Sequence, residues 1–461
     1  MPVIQKNGGA KRLMDNRYAQ APRVTAVPRR TLLSITALQN ALLMLVCLWI
    51  TAPMLVPNPT MRLLALFAMV GWLVLELARP NGLFRRPSWP LLLVIVLAAH
   101  DLFLWYVFRE WSLLSRIQFY IFLSFILVYE SRRQQPATLL PVFWFLVLTV
   151  PIWILTTLRG LDVFGAHAVR HVVRSSELAI ELMQQGVGGY SLVYGSILLL
   201  PIALSIAIAP ERFRLTPRPR LLRLLPIPIR WLFAGLAALI LLLVFRSGFT
   251  IAIIVASSIT VVTLALLKPR RWHFAALPLV IAFLIGFGEV LVDGFIEVAR
   301  PIVAGTNYQN KLRDFEVSRI EGTAHGTVAD RTARYMRSVN SFIENPLLGT
   351  MRRQGIGNHS AVLDNFAQRG VFFGLLYFWL LVYLPIRMLK QRPRNVAMII
   401  GTLTMMLLFP ILNSVTMIFG VFLFIMFPAA CAMTRDDPGA KASAGIVNPV
   451  TSNQSSLGVG H

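Results

Sequence analysis

Apolar runs of about 18–22 residues, each closed by a short polar or basic stretch, follow one another from position 33 to position 433. At about 1.5 Å of rise per residue, such a run crosses the roughly 30 Å hydrocarbon layer of a bilayer as a helix. Backbone groups in lipid must be satisfied within their own segment, so the pattern predicts helices and no open strands. Twelve runs are expected, at 33–56, 61–78, 89–108, 114–130, 138–158, 190–209, 229–246, 248–267, 272–292, 360–386, 395–412 and 414–433. The expected fold is an all-α polytopic integral membrane protein with a basic segment 1–32, a transmembrane domain 33–433 and a polar, disordered tail 434–461.

The stretches between the runs set an expected orientation. With the N-terminus placed in the cytoplasm, the connections on that side read "ARPNGLFRRP", "SRRQQP", "PERFRLTPRPRLLRLLPIPIR", "KPRR" and "RMLKQRPR". All five are rich in Arg and Lys, with Glu211 as their one acidic residue, as the positive-inside rule requires. Both termini are then cytoplasmic, and two long external loops remain, at 159–189 and 293–359.

Composition agrees with a membrane protein. Of 461 residues 56% are apolar and 14% charged, and the mean hydropathy is +0.66. A formal net charge of +24 invites a nucleic-acid reading. Its confinement to stretches between apolar runs argues against one. Cys47 and Cys431 both lie inside apolar runs, which implies packing and gives neither a disulfide framework nor a metal site. The basic, polar start lacks a short apolar core with a small-residue cleavage site, so no signal peptide is expected.

Both long loops carry arginines on the side that the positive-inside rule usually depletes. Long loops translocate regardless of charge, which is one reading; an external anion site is the other. Arg246, in "LVFRSGFT", ends an apolar run and calls for snorkelling or an anionic partner. Arg331, Arg334 and Arg337 recur at i, i+3 and i+6 beside Tyr335, Val339 and Phe342. That spacing predicts an amphipathic helix on the outer leaflet, binding either lipid headgroups or, through guanidinium forks, a diphosphate. Among seven histidines, His359 alone stands at a loop-to-span junction, behind Gly355 and Gly357. Glycines there permit unusual backbone angles and a close ligand, and a histidine at the water–lipid boundary can take a proton from a hydroxyl. A structural histidine is the alternative. Asp364, five residues on, is a polar residue for the bundle interior or a partner of His359, and His100 with Asp101 forms a second candidate interior contact.

These pieces stand in a familiar order. "ENPLLG" followed by "GIGNHSAVLDNFAQRGVFFGLL" resembles the C-terminal signature of the O-antigen polymerase and O-antigen ligase superfamily. The matching residues are Asn345, Pro346, Gly349, Gly355, Gly357, His359, Leu363, Gly370 and Gly374. "DRTARYM" resembles the family's Arg-x-x-x-Trp element through Arg331, with Tyr335 in the aromatic place, and "LVFRSGFTIAIIVA" resembles its Ser-Arg-Gly hairpin through Arg246. The resemblance covers about residues 228–390; "TMRRQ" departs from it, adding length and Arg352 and Arg353 before Gly355.

The resemblance implies a bacterial inner-membrane glycosyltransferase working at the periplasmic face on undecaprenyl-diphosphate-linked oligosaccharide. No metal and no nucleotide sugar is implied. In that chemistry His359 activates the acceptor hydroxyl, and Arg246, Arg331 and Arg334 hold the diphosphate, with Arg337, Arg352, Arg353 and Asp364 as secondary candidates. A chain-length regulator and a flippase are the protein partners such a role brings, besides membrane lipids, and nucleic acid is not among them. "NHSAVLD" is closer to the polymerases than to the ligases, which transfer the glycan to lipid A-core and more commonly start with His-Asn. A flippase or transporter stands as the reading from another class. It sits poorly with spans that look charge-poor and with the lack of repeated halves.

Overall fold

The computed structural model describes residues 34–80, 82–85, 87–109, 117–165, 168–172, 177–213, 227–267, 296–297, 299–301, 303–305, 309–320, 326–391 and 395–434. The basic N-terminal segment, the run at 272–292 and the tail beyond Thr434 lie outside the described residues. Among the described residues there is no β-strand, and an isolated bridge joins Phe213 to Thr434. The helices are α1 (Ile35–Thr51), α2 (Pro59–Ala78), α3 (Trp89–Phe108), α4 (Ile117–Arg132), α5 (Leu140–Phe164), α6 (Ala168–His171), α7 (Glu177–Gln184), α8 (Tyr190–Ile197), α9 (Leu200–Ile208), α10 (Ile229–Arg246), α11 (Thr250–Leu267), α12 (Gln309–Ile320), α13 (Gly326–Glu344), α14 (Ala361–Gln391), α15 (Val396–Leu412) and α16 (Met417–Ala432). Starts follow from local chemistry: the Ser34 hydroxyl accepts from Ala37 N at α1, and the Asn58 side chain accepts from Met61 N at α2 ahead of Pro59.

Six of these helices are long and apolar enough to cross a membrane, and the bent pair α8–α9 adds a seventh if its 40° break lies within one span. The chain is therefore an all-α membrane protein. Four more expected runs coincide with α1, α4, α15 and α16, which are 16 or 17 residues long. Large apolar side chains such as Phe67, Phe103, Tyr106 and Val261 stand exposed on the outward faces, as lipid contact requires. The interior is built around α4, α5, α8–α9, α15 and α16, which is buried from Met417 to Cys431 and contains a π-helical stretch at Phe422–Met426.

Three expectations need correction. The run at 360–386 is not one continuous helix: α14 breaks at Gly370 (φ 69°, ψ −173°). A Cβ on Gly370 would lie 2.1 Å from the Leu347 carbonyl oxygen, and one on Gly349 (φ +70°) would lie 2.5 Å from Arg369 N. The Asn345–Gly349 loop is thus pressed backbone to backbone against the break, and it takes over the groups the break frees. Thr350 N donates to Ala367 O, Met351 N to Gln368 O, and Val371 N to Pro346 O, all at 2.8 Å. The glycines of "NPLLG" and "QRG" are there because no other residue admits that approach.

The second correction concerns α13. It does not lie on lipid alone: it docks on α14 and on the end of α15, with Ser338 buried and Phe342 edge-on to Phe366 at 5.5 Å. The third concerns the spans, which are not charge-poor inside. Glu76, Asp101, Glu130, Arg132 and Arg369 are all buried. They are held in partnerships: Arg132 donates to Gln39, Gln39 to Glu76, and Arg369 to Asp101 at 2.7 Å.

Gly370→Ala is expected to destabilise the protein severely. Positive φ on a non-glycine residue costs on the order of 1–3 kcal/mol before the clash with Leu347 is counted. Gly235, inside α10 with open space around it, is the control. Ala there is expected to hold or raise the melting temperature, since it favours the helix by about 0.5–1 kcal/mol. Melting temperatures of both variants in detergent check this.

Candidate functional site

The end of α15 gathers the residues singled out in the sequence. A helix C-terminus leaves carbonyls without intrahelical partners. Here four are met from three directions. Ser360 Oγ donates to Pro410 O at 3.2 Å, Tyr335 OH to Leu412 O at 2.7 Å, Ala361 N to Asn413 O at 3.0 Å and Tyr190 OH to Ser414 O at 2.7 Å. One carbonyl cluster thereby fixes α8, α13 and the start of α14 against one another.

The turn carrying His359 is seated on the arginine helix. A Cβ on Gly357 would lie 2.1 Å from the Arg334 carbonyl oxygen, so only glycine lets the chain pass there. Gly357 N donates to Ser338 Oγ at 2.9 Å, and Ser338 Oγ donates to Asp364 Oδ1 at 2.6 Å. Asp364 also accepts from Asn358 N at 3.1 Å and Ser360 N at 3.0 Å. Together with Leu363 N on Ser360 Oγ, this is a reciprocal cap that starts α14. Asp364 thus clamps the backbone on both sides of His359 and lies within electrostatic reach of its ring. It positions the turn, and no hydrogen bond to the imidazole is formed among the described contacts.

The His359 ring is partly exposed, and its Nδ1 lies 2.9 Å from the Asn358 carbonyl oxygen. A carbonyl only accepts, so this contact calls for a proton on Nδ1, and in the neutral ring it leaves Nε2 as the acceptor. Asn358 holds a left-handed backbone (φ 56°), which turns its carbonyl toward the ring.

The arginines divide. Arg331 is half-buried, and its Nη1 is buried without a hydrogen-bond partner among the described residues. It stands within electrostatic reach of Tyr190 and Tyr194. Arg334 spans one turn of α13 to Asp330 at 3.2 Å. Arg337 and Arg353 are exposed, and Arg352 is exposed with its guanidinium 5.1 Å from the Phe108 ring centroid. Arg246 has its anionic partner: it forms an ion pair with Asp162 at the end of α5. The hairpin it begins is joined to the Arg331 side through Phe249, whose ring lies 6.2 Å from Tyr190 and 5.5 Å from Tyr194. Arg170 flanks the same hairpin, donating to Gly248 O at 2.6 Å. The structure therefore seats the His359 turn and Asp364 on the helix that carries Arg331 and Arg334, and ties Arg246 to its own carboxylate.

Sequence reasoning passed over Tyr190, Tyr194 and Asp162. The signal for the tyrosines was present: two aromatic hydroxyls four apart, on one helical face, directly behind Gly188 and Gly189. Among the described residues no group of three or more His, Cys, Asp or Glu is placed to hold a metal ion. No protein-family model, no curated protein and no solved structure matches the chain.

Proposed function

We propose that this chain is a polysaccharide polymerase of the O-antigen polymerase type. It transfers an undecaprenyl-diphosphate-linked glycan, an O-antigen or exopolysaccharide unit, onto a lipid-linked repeat unit at the periplasmic face of the bacterial inner membrane. The observation that carries the reading is the pairing of two groups across one docked contact: a buried, unpartnered Arg331 Nη1 on α13, and His359 Nε2 on the turn that rests on α13. One suits an oxyanion and the other a hydroxyl proton.

In this scheme the acceptor hydroxyl gives its proton to His359 Nε2 as its oxygen attacks the anomeric carbon. The bond from that carbon to the diphosphate breaks, and its electron pair leaves with the diphosphate. Direct attack inverts the anomeric centre. Guanidinium groups offset the charge that develops on the leaving oxygens, with Arg331 foremost and Arg334 beside it. Arg246 joins them if the incoming diphosphate displaces Asp162. The scheme uses no metal and no cofactor. Twelve spans, cytoplasmic termini and loops 159–189 and 293–359 in the periplasm are part of the same proposal.

Deleting the gene and resolving surface glycans on a gel tests it. Lipid A-core carrying a single repeat unit is the expected result. Long chains accumulating on undecaprenyl diphosphate make the protein a ligase instead, and an unchanged glycan ladder contradicts both.

A further inference from the structure

The Asn345–Gly349 loop belongs to the long stretch expected outside the membrane, yet its contacts put it at the depth of a span. The depth is marked by α3. Its 20 residues match the hydrocarbon layer in length, and its Phe108 end carries an interfacial aromatic pair: the Arg109 guanidinium lies 5.0 Å from the Trp105 ring centroid and 5.5 Å from that of Tyr106. His100 and Asp101 precede Phe108 by eight and seven residues, about 10–12 Å further in at 1.5 Å per residue. The break in α14 is held at that level from either side of Gly370. Before it, Arg369 reaches Asp101 at 2.7 Å and His100 at 3.1 Å; after it, the Phe373 ring stacks on His100 at 3.7 Å. The loop is pressed on Gly370 backbone to backbone. Arg352, just past the loop, comes back to the Phe108 ring, 5.1 Å from its centroid. The chain thus dips below the end of α3 and returns within a few residues.

Two further features suit this depth. Irregular backbone inside a bilayer has to be paired with protein. Asn345, Gly349, Thr350 and Met351 all donate their N–H groups to carbonyls, and Pro346 has none to place. The side chains at the corner are aliphatic and uncovered: Ile343, Leu347 and Leu348 are 67%, 60% and 54% exposed, and Phe372 and Leu375, just beyond the break, are exposed as well. We propose that Ile343–Leu348 is a re-entrant lipid-binding corner, with Ile343, Leu347 and Leu348 seated among the acyl chains of membrane phospholipids in the leaflet at the Phe108 end of α3. Arg352 and Arg353, both exposed, then stand at the level of the lipid phosphates. The corner holds α13, and the His359 turn seated on it, at a fixed depth in that leaflet. The inference does not depend on the polymerase reading.

Cys47 and Cys431 are buried, so a cysteine added at an exposed position can be labelled selectively. Bimane on Leu348→Cys is read in phosphatidylcholine nanodiscs with and without bromine on the acyl chains, and with iodide in the buffer. Phe103→Cys, exposed on α3, is the lipid reference, and Arg313→Cys, exposed on the polar helix α12, is the aqueous one. The expected result is a loss of emission in brominated nanodiscs that matches the loss at Phe103→Cys, with iodide quenching several-fold weaker than at Arg313→Cys. Leu348 is exposed, so its replacement leaves the core intact, and Ile343→Cys repeats the reading from the last turn of α13. Iodide quenching as strong as at Arg313→Cys, without bromine quenching, overturns the proposal and puts the corner in water. Emission untouched by either quencher overturns it too, since a protein surface then covers the leucines. A wild type that makes no polymer removes the polymerase reading and leaves these readings as they are.

Discussion

His359→Gln is expected to give a folded, membrane-inserted protein that makes almost no polymer. General-base catalysis typically contributes about 10²–10⁴-fold, and glutamine offers hydrogen bonding without a nitrogen that can take the proton. His359→Ala is expected to fall as far. Neither change should disturb the fold, because the cap that starts α14 is built from Ser360, Ser338 and Asp364 and does not pass through the imidazole. A purely structural His359 gives another pattern: glutamine is tolerated, and any loss with alanine tracks falling protein level. Polymer length distributions measured beside membrane protein level for both variants separate the two. Asp364→Asn serves as the contrast. It weakens the clamp on Asn358 N and Ser360 N, so its defect should include loss of thermal stability.

Arg369→Leu is expected to be the most damaging single change outside the site. Its guanidinium is buried, 2.7 Å from Asp101 Oδ1 and 3.1 Å from His100 Nδ1, and Tyr120 OH also donates to Asp101 at 3.0 Å. Removing one partner leaves a charge stranded in a dry interior, which costs about 3–5 kcal/mol, whereas replacing both partners by apolar residues is often near neutral. The double variant Asp101→Leu, Arg369→Leu should therefore recover much of the stability that Arg369→Leu loses. Melting temperatures of the two single variants and the double variant give the coupling directly; simple additivity would mean that the pair is not coupled. Arg369 is the last residue before the break at Gly370, and the half-helix it anchors begins directly behind His359. Activity in Arg369→Leu should fall even where folded protein remains.

The order of helices was legible because apolar runs have a length that a bilayer explains. The helix at Gly326–Glu344 was legible because Arg331, Arg334 and Arg337 and the apolar set beside them repeat at helical spacing. What it rests on was not. Its Phe342 and Ser338 meet Phe366 and Asp364 on α14, and Tyr335 reaches the Leu412 carbonyl across 77 positions, where no sequence signal points to it. The break at Gly370 was hidden for a related reason. A glycine inside an apolar run reads as close helix packing. Only the arrival of the Asn345–Gly349 loop, through backbone groups, turns it into a chain reversal of dihedral angle. Ion pairing was the least legible feature. Arg246 and Asp162 are 84 positions apart and Arg369 and Asp101 are 268 apart, so no local spacing announces either pair.

The most direct measurement is reconstitution. Purified protein in nanodiscs receives a single substrate, the undecaprenyl-diphosphate-linked repeat unit, with no lipid A-core and no nucleotide sugar. The account predicts a ladder of lengthening lipid-linked chains from the wild type, with release of undecaprenyl diphosphate, and none from His359→Gln at equal folded protein. A wild type that stays silent until lipid A-core is added, or a His359→Gln protein that builds the same ladder, would contradict it.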